Sequence, residues 1–198
     1  LQHDKVADLV AALEALGGPA KSGVVTIAGV EGRLQTAQTL RKRTIEDHPS
    51  AWKEAITRVA RNPKYQGLAL REQLGLVPLG PDPASTLEEF AETMTGKVPI
   101  RGPDGKIAVT EDMALVFVQL PGGTFTMGAQ NKDPSGPNYD SSAQGDEGPP
   151  HSVTLAPFLL SKYEMTQGQW SRFVGVNPSG FGPAAKFGDK QNDLRHPV

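Results

Sequence analysis

Three glycines, Gly122, Gly123 and Gly128, sit in the most patterned stretch of the chain, LVFVQLPGGTFTMGAQ (residues 115–130). Clustered glycines can let backbone N–H groups close around a phosphate. Here the spacing is not that of a phosphate loop, and neither a lysine nor a helix start follows. The default reading is a strand turn with a close backbone approach. Downstream, Asp133, Asp140, Asp146 and Glu147 lie in a loop rich in Asp, Asn and Gly, the composition from which calcium ligands are drawn. The D-x-D-x-D-G order is absent, so solvated loop carboxylates are the competing reading. His151 follows Asp146-Glu147 closely enough for a carboxylate to orient it as a general base. A lone histidine opening a strand is more often structural, and His196-Pro197 reads as a structural turn.

The four histidines (His3, His48, His151, His196) have no H-x-x-x-H spacing, and the chain has no cysteine. Disulfides, thiolate metal sites and cysteine nucleophiles are therefore excluded within these residues. Phe158, Tyr163, Trp170 and Phe173 could line a ligand groove, but their strand and helix spacing makes core packing the default. The basic run Arg41-Lys42-Arg43 is short and adjoins Glu46 and Asp47, which suits a solvated helix face.

The elements that must position these residues can be read from periodicity. Val6, Leu9, Val10, Leu13 and Leu16 share one helical face, stopped by Gly17-Gly18-Pro19. Val24–Val30 reads as a short strand and residues 31–46 as a second helix with a poor apolar face. HPSAWKEAITRVARNP is a helix started by Pro49 or Ser50, with Trp52, Ala55, Ile56, Val59 and Ala60 inward, and ended by Pro63. GLALREQLGLVPLGPDP is a turn-rich connector with short extended pieces. STLEEFAETMTG reads as a helix with a Ser85/Glu88 capping box, an apolar face of Leu87, Phe90, Ala91 and Met94, and Gly96 as C-cap.

The second half is extended and loop-rich. RGPDGKIAV is a turn. Leu115–Leu120 is a strand, Pro121-Gly122-Gly123 turns it, and Thr124–Met127 returns as the second arm of a hairpin, with Met127 in the core. The polar loop 129–150 is long enough to be functional or pinned by a neighbour. Ser152–Leu155 and Phe158–Tyr163 are extended. Thr166 and Gln169 form a capping box opening a helix that carries Trp170, Phe173 and Val174 inward.

The whole chain has 198 residues, is 37% hydrophobic and carries a net charge of −2. Its mean hydropathy is −0.36 and its pI about 6.1. No basic field exists to attract nucleic acid, and no apolar run approaches the roughly 20 residues that span a bilayer. No signal peptide opens the chain, and no compartment is assigned. Leu1 in place of Met leads to the expectation of a cut or processed N-terminus. Composition divides the chain into a mainly helical region (1–95), a linker (96–112) and a strand-and-loop region (113–198).

FVQLPGGTFTMG, then DEGPPHSVTLAPFLLSKYEMTQGQWSRF, then HPV, in that order over residues 113–198, resembles the formylglycine-generating enzyme (sulfatase-modifying factor) family. The resemblance implies an α+β fold, the N-terminal part of a C-type-lectin-like domain with short strands and long loops. It also implies oxidation of a protein cysteine to formylglycine, with paired cysteines binding copper, and calcium sites, in a half of the domain that follows HPV in the family. With no cysteine here, no catalytic or cofactor residue is carried over, and metal ligands stay unassigned. The expected partners are the remainder of the same domain or a complementing chain, and a cysteine-containing protein substrate. The segment GLALREQLGLVPLGPDPASTLEEFAETMTGKVP resembles one that precedes this domain in multidomain bacterial proteins, including Ser/Thr kinases, although no kinase motif occurs here. The alternative function is a non-catalytic ligand- or protein-binding sensory module. A third reading, an iron-dependent oxygenase on the same scaffold, would need histidine ligands that these four do not supply.

Overall fold

The computed structural model describes residues 2–19, 26–183, 186–187, 190–191 and 193–198. Four helices precede or flank small antiparallel sheets: α1 (Gln2–Leu16), α2 (Ile27–Arg41), α3 (Pro49–Arg61) and α4 (Gln167–Val174). The strands are β1 (Leu76–Pro81), β2 (Glu88–Glu92), β3 (Leu115–Leu120), β4 (Gly123–Met127), β5 (His151–Leu155), β6 (Phe158–Ser161), β7 (Lys186–Phe187) and β8 (Lys190–Gln191). This is an α+β architecture. The main sheet runs β1-β2-β3-β6, while β4-β5 and β7-β8 form separate ribbons.

The core lies where α3 covers the main sheet. Pro49 fixes the first turn of α3, and Trp52, Ala55 and Val59 recur on its buried face as the periodicity predicts. They pack with Tyr65, Leu70, Leu76 and Phe90. The Trp52 and Phe90 rings lie 5.6 Å apart, and Trp52 Nε1 donates to the Thr44 carbonyl at 2.7 Å. The Tyr65 hydroxyl accepts from the Glu88 amide (2.7 Å) and donates to the Gln119 carbonyl (3.1 Å), joining β2 to β3 through one side chain. A second cluster, Ile107, Met113 and Val116, packs with Leu79, Val109 and Tyr163.

The structure overturns four expectations. Residues 88–92 are strand β2, not part of a helix. The chain before it cannot enter a helix, because Thr86 sits at φ 61° and the Ser85 hydroxyl accepts from Leu87 instead of Glu88. Between β1 and β3, β2 is buried on both faces, and that burial outweighs the capping-box signal. Val24–Val30 is not a strand over its described part. Thr26 accepts from the Gly29 amide at 3.0 Å and caps α2, which begins at Ile27; residues 24–25 lie outside the described residues.

Third, β3 and β4 are consecutive but form no hairpin. β3 pairs with β2 and β6, whereas β4 pairs with β5. The Pro121–Gly123 turn switches the chain from one sheet to the other, and Met127 on the outlying ribbon is exposed rather than in the core. Fourth, α4 buries Gln167, Gly168 and Gln169, while Phe173 and Val174 are exposed. Its first turn is held by polar contacts. Gln167 Nε2 donates to Ser179 Oγ and to the Phe181 and Pro197 carbonyls, and Gln169 Nε2 donates to the Met113 carbonyl. The Thr166/Gln169 capping box is present as predicted.

Candidate functional site

The sheet switch creates a largely apolar concavity. Leu120, Pro121, Gly122, Phe125, Leu155 and Phe158 line a groove of about 410 Å³. Gly122 makes the switch possible. Its φ is 75°, and a Cβ there would stand 2.5 Å from the Leu155 carbonyl oxygen, so β3 can pass against the β5–β6 connection only without a side chain. Gly123 has φ 132° but open space around it. Gly128 (φ 92°) approaches the Glu147 and Pro149 carbonyls. Gly122 and Gly128 thus serve close backbone approach and Gly123 the turn's positive φ, in line with the strand-turn reading.

The loop carboxylates are turned to their own backbone. Asp133 accepts from Ser135, Asp140 from Ser142, and Glu147 from Gln144. Asn138 pins the loop to the end of β4 by donating to the Thr126 and Gly128 carbonyls. No group of three His, Asp or Glu side chains with metal-holding geometry occurs among the described residues, so this loop does not fit a calcium site. His151 is exposed, and its Nδ1 lies 2.9 Å from the Pro149 carbonyl; no ion pair joins it to Asp146 or Glu147. His196 sits 3.3 Å from Asp193, whose carboxyl is lowered to about 2 by its bonds from Arg195. Neither histidine meets a second ligand, and with no cysteine in the chain these residues do not fit a copper site. Phe158 and Tyr163 border the groove and the second core cluster respectively, and half-buried Trp170 keeps a buried Nε1 without a hydrogen bond. Arg41 and Lys42 form exposed ion pairs with Glu46 and Asp47, the solvated face expected.

A charged cluster around β2 is absent from the sequence-based expectations. Glu88 and Glu89 are adjacent in β2, point to opposite faces, and are both fully buried. Glu88 pairs with Arg58 of α3 at 2.7 Å. Glu89 pairs with Arg101 (2.6 Å) and with Lys162 (2.5 Å), and Lys162 also reaches Asp82 at 2.8 Å. The Lys162 ammonium holds the Asp82 carboxyl far below the usual carboxylate range. Burial pulls the Lys162 ammonium down, but its bonds to Asp82 and Glu89 outweigh that and leave it raised. With the Asp82 carboxyl held ionised and the Lys162 ammonium held protonated, neither exchanges a proton near neutrality. The cluster is a latch between β1–β2 and β6. The only hint of it in sequence was a Glu-Glu pair directly before Phe90-Ala91.

The sulfatase-modifying factor enzyme 1-like domain family matches residues 107–197. A formylglycine-generating enzyme from Thermomonospora curvata is 38% identical over 64 residues, which is 32% of this chain and 19% of that protein. The chain thus spans about a fifth of the length of this curated relative. No solved structure matches. The match takes in the β3–β4 switch, the polar loop, the β4–β5 ribbon, β6 and α4. Residues 107–197 of this chain are thus similar to the sulfatase-modifying factor enzyme 1-like domain.

Proposed function

We propose that this chain is the scaffold part of a formylglycine-generating-type protein, and that the full-length protein oxidises a cysteine of a protein substrate to formylglycine. The observation that carries the reading is the family match over residues 107–197, and the name of the T. curvata relative supports it. The described residues gather no ligand set for copper or calcium, so both would be held by polypeptide outside them, in the remainder of the same domain or in a complementing chain. This chain contributes shape: the apolar groove at the sheet switch and the outer edges of β4 and β5, which pair with no third strand among the described residues and, apart from the Thr126 carbonyl held by Asn138, offer backbone donors and acceptors to an extended segment. Incubating the full-length protein and copper with a cysteine peptide, dioxygen as oxidant and a thiol reductant, and reading the product by mass spectrometry, tests it. In that reaction the sulfur leaves as sulfide and the second oxygen atom as water. Conversion of the thiol to an aldehyde is expected; a full-length protein without paired cysteines, or an unchanged peptide, refutes it.

A second reading is favoured by the groove together with the absence of cysteine. The scaffold would then be a non-catalytic recognition module of a bacterial signalling protein, for example one with a Ser/Thr kinase. Retention of a cysteine-free peptide by the full-length protein, unchanged by a copper chelator, distinguishes it.

A further inference from the structure

The apolar stripes of α1 and α2 have no cover in the described structure. In α1, Val6, Leu9, Leu13 and Leu16 recur at intervals of three, four and three residues, with Val10 beside them. In α2, Ile27, Val30, Leu34 and Ala37 repeat the same intervals. This is the seam pattern of helices that pack lengthwise on another helix. Yet the large side chains of both stripes are 39–59% exposed, whereas Trp52, Ala55 and Val59 of α3 are at 0%. The two helices do not pack along each other either.

We propose that the stripes form a dimer interface: α1 of one copy lies parallel to α2 of a second copy, and the four helices make a short two-fold bundle. Area supports a second copy as the occupant. Eight half-exposed aliphatic side chains per copy approach the scale of about 800 Å² per partner taken by a specific interface. Length supports four helices over two, since each stripe covers only two heptads and a two-stranded coil needs about three to four. Charge supports the pairing. With Val6 level with Ile27 and Leu13 level with Leu34, Lys5 and Glu31 occupy the flanking positions that face each other across a parallel pair. Pairing α1 with α1 sets Lys5 against Val10, and pairing α2 with α2 sets Glu31 against Thr26, so neither matches a charge.

The natural absence of cysteine makes the test direct. Sedimentation equilibrium of the 198-residue chain across the micromolar range should give twice the 21.1 kDa chain mass. The Leu9→Glu, Leu34→Glu double variant should raise the midpoint concentration for dissociation more than about thirtyfold, with the near-ultraviolet signal of buried Trp52 unchanged. Leu13→Cys chains mixed with Leu34→Cys chains should oxidise mainly to the mixed disulfide dimer. A monomer throughout the concentration range overturns the proposal. So does an excess of like-with-like disulfides, or a Leu13→Cys, Leu34→Cys double variant that closes its disulfide within one chain, which would mean that the stripes cover each other.

Discussion

Gly122 and Gly123 are neighbours of one residue type with different duties. Gly122 combines a left-handed backbone with a carbonyl oxygen 2.5 Å from where a Cβ would be; Gly123 has only the unusual φ. Gly122→Ala should therefore cost about 3 kcal/mol or more and Gly123→Ala about 1 kcal/mol, read from urea midpoints. Glu89 offers a second contrast. Glu89→Gln leaves Arg101 and Lys162 without their buried carboxylate, and should cost about 2–4 kcal/mol. That is below the usual range for a broken buried pair, because those cations remain 19% and 22% exposed. Asp82 gives the pH dependence. Its folded-state affinity for a proton lies below the ordinary value of 3.8, so its contribution is present above that pH and is lost as the pH falls below it. Asp82→Asn should therefore be less stable than the parent above about pH 5, and the gap in urea midpoint should close on acidification below pH 4.

At the scale of elements, α4 shows how polar groups can seat a helix. Thr166 accepts from the Gln169 amide, and Gln169 accepts from the Thr166 amide while also donating to Met113. Thr166→Ala should cost about 1 kcal/mol. Because the two side chains share one cap, Thr166→Ala with Gln169→Ala should cost less than the sum of the single changes, as thermal melts of the four proteins would measure. The cap of α4 and the inward stripe of α3 were legible in sequence, since local hydrogen bonds and a 3.6-residue period determine them. The inward face of α4 was not, because Gln167 and Gln169 find their partners on segments distant in the chain. Nor was β2: Ser85 and Glu88 spell a helix start locally, while the strand is imposed by Leu76–Pro81 on one side and Leu115–Leu120 on the other. The β3–β4 break was hidden for the same reason, as a Pro-Gly-Gly turn reads alike whether the chain folds back on itself or leaves for another sheet. Of the candidate site, the glycines were visible as backbone features; the groove and the Glu89 latch depend on register between strands and were not.

Across the whole molecule, the main sheet joins residues on both sides of position 107, where the family match begins. Residues 107–198 alone would lose β1, β2 and α3, leaving one edge of β3 open and Val116 and Phe117 without Phe90 and Ala91 beside them. That segment should show no cooperative thermal transition by circular dichroism, whereas the 198-residue chain should show one. The 198-residue chain should in turn leave a cysteine peptide unoxidised with or without added copper, since its own residues lack the ligand set.

Glu89 meets Lys162 across 73 positions of chain. During synthesis at about 5–20 residues per second, β2 therefore leaves the ribosome roughly 4–15 s before Lys162 exists. Until β3 follows and pairs with it, β2 exposes an unpaired edge beside Phe90 and Ala91, the kind of edge that recruits neighbouring nascent chains. Two ionised carboxylates at its start keep it hydrated and mutually repellent. The latch of the finished fold is thus a guard for the unfinished one, completed only when Lys162 arrives.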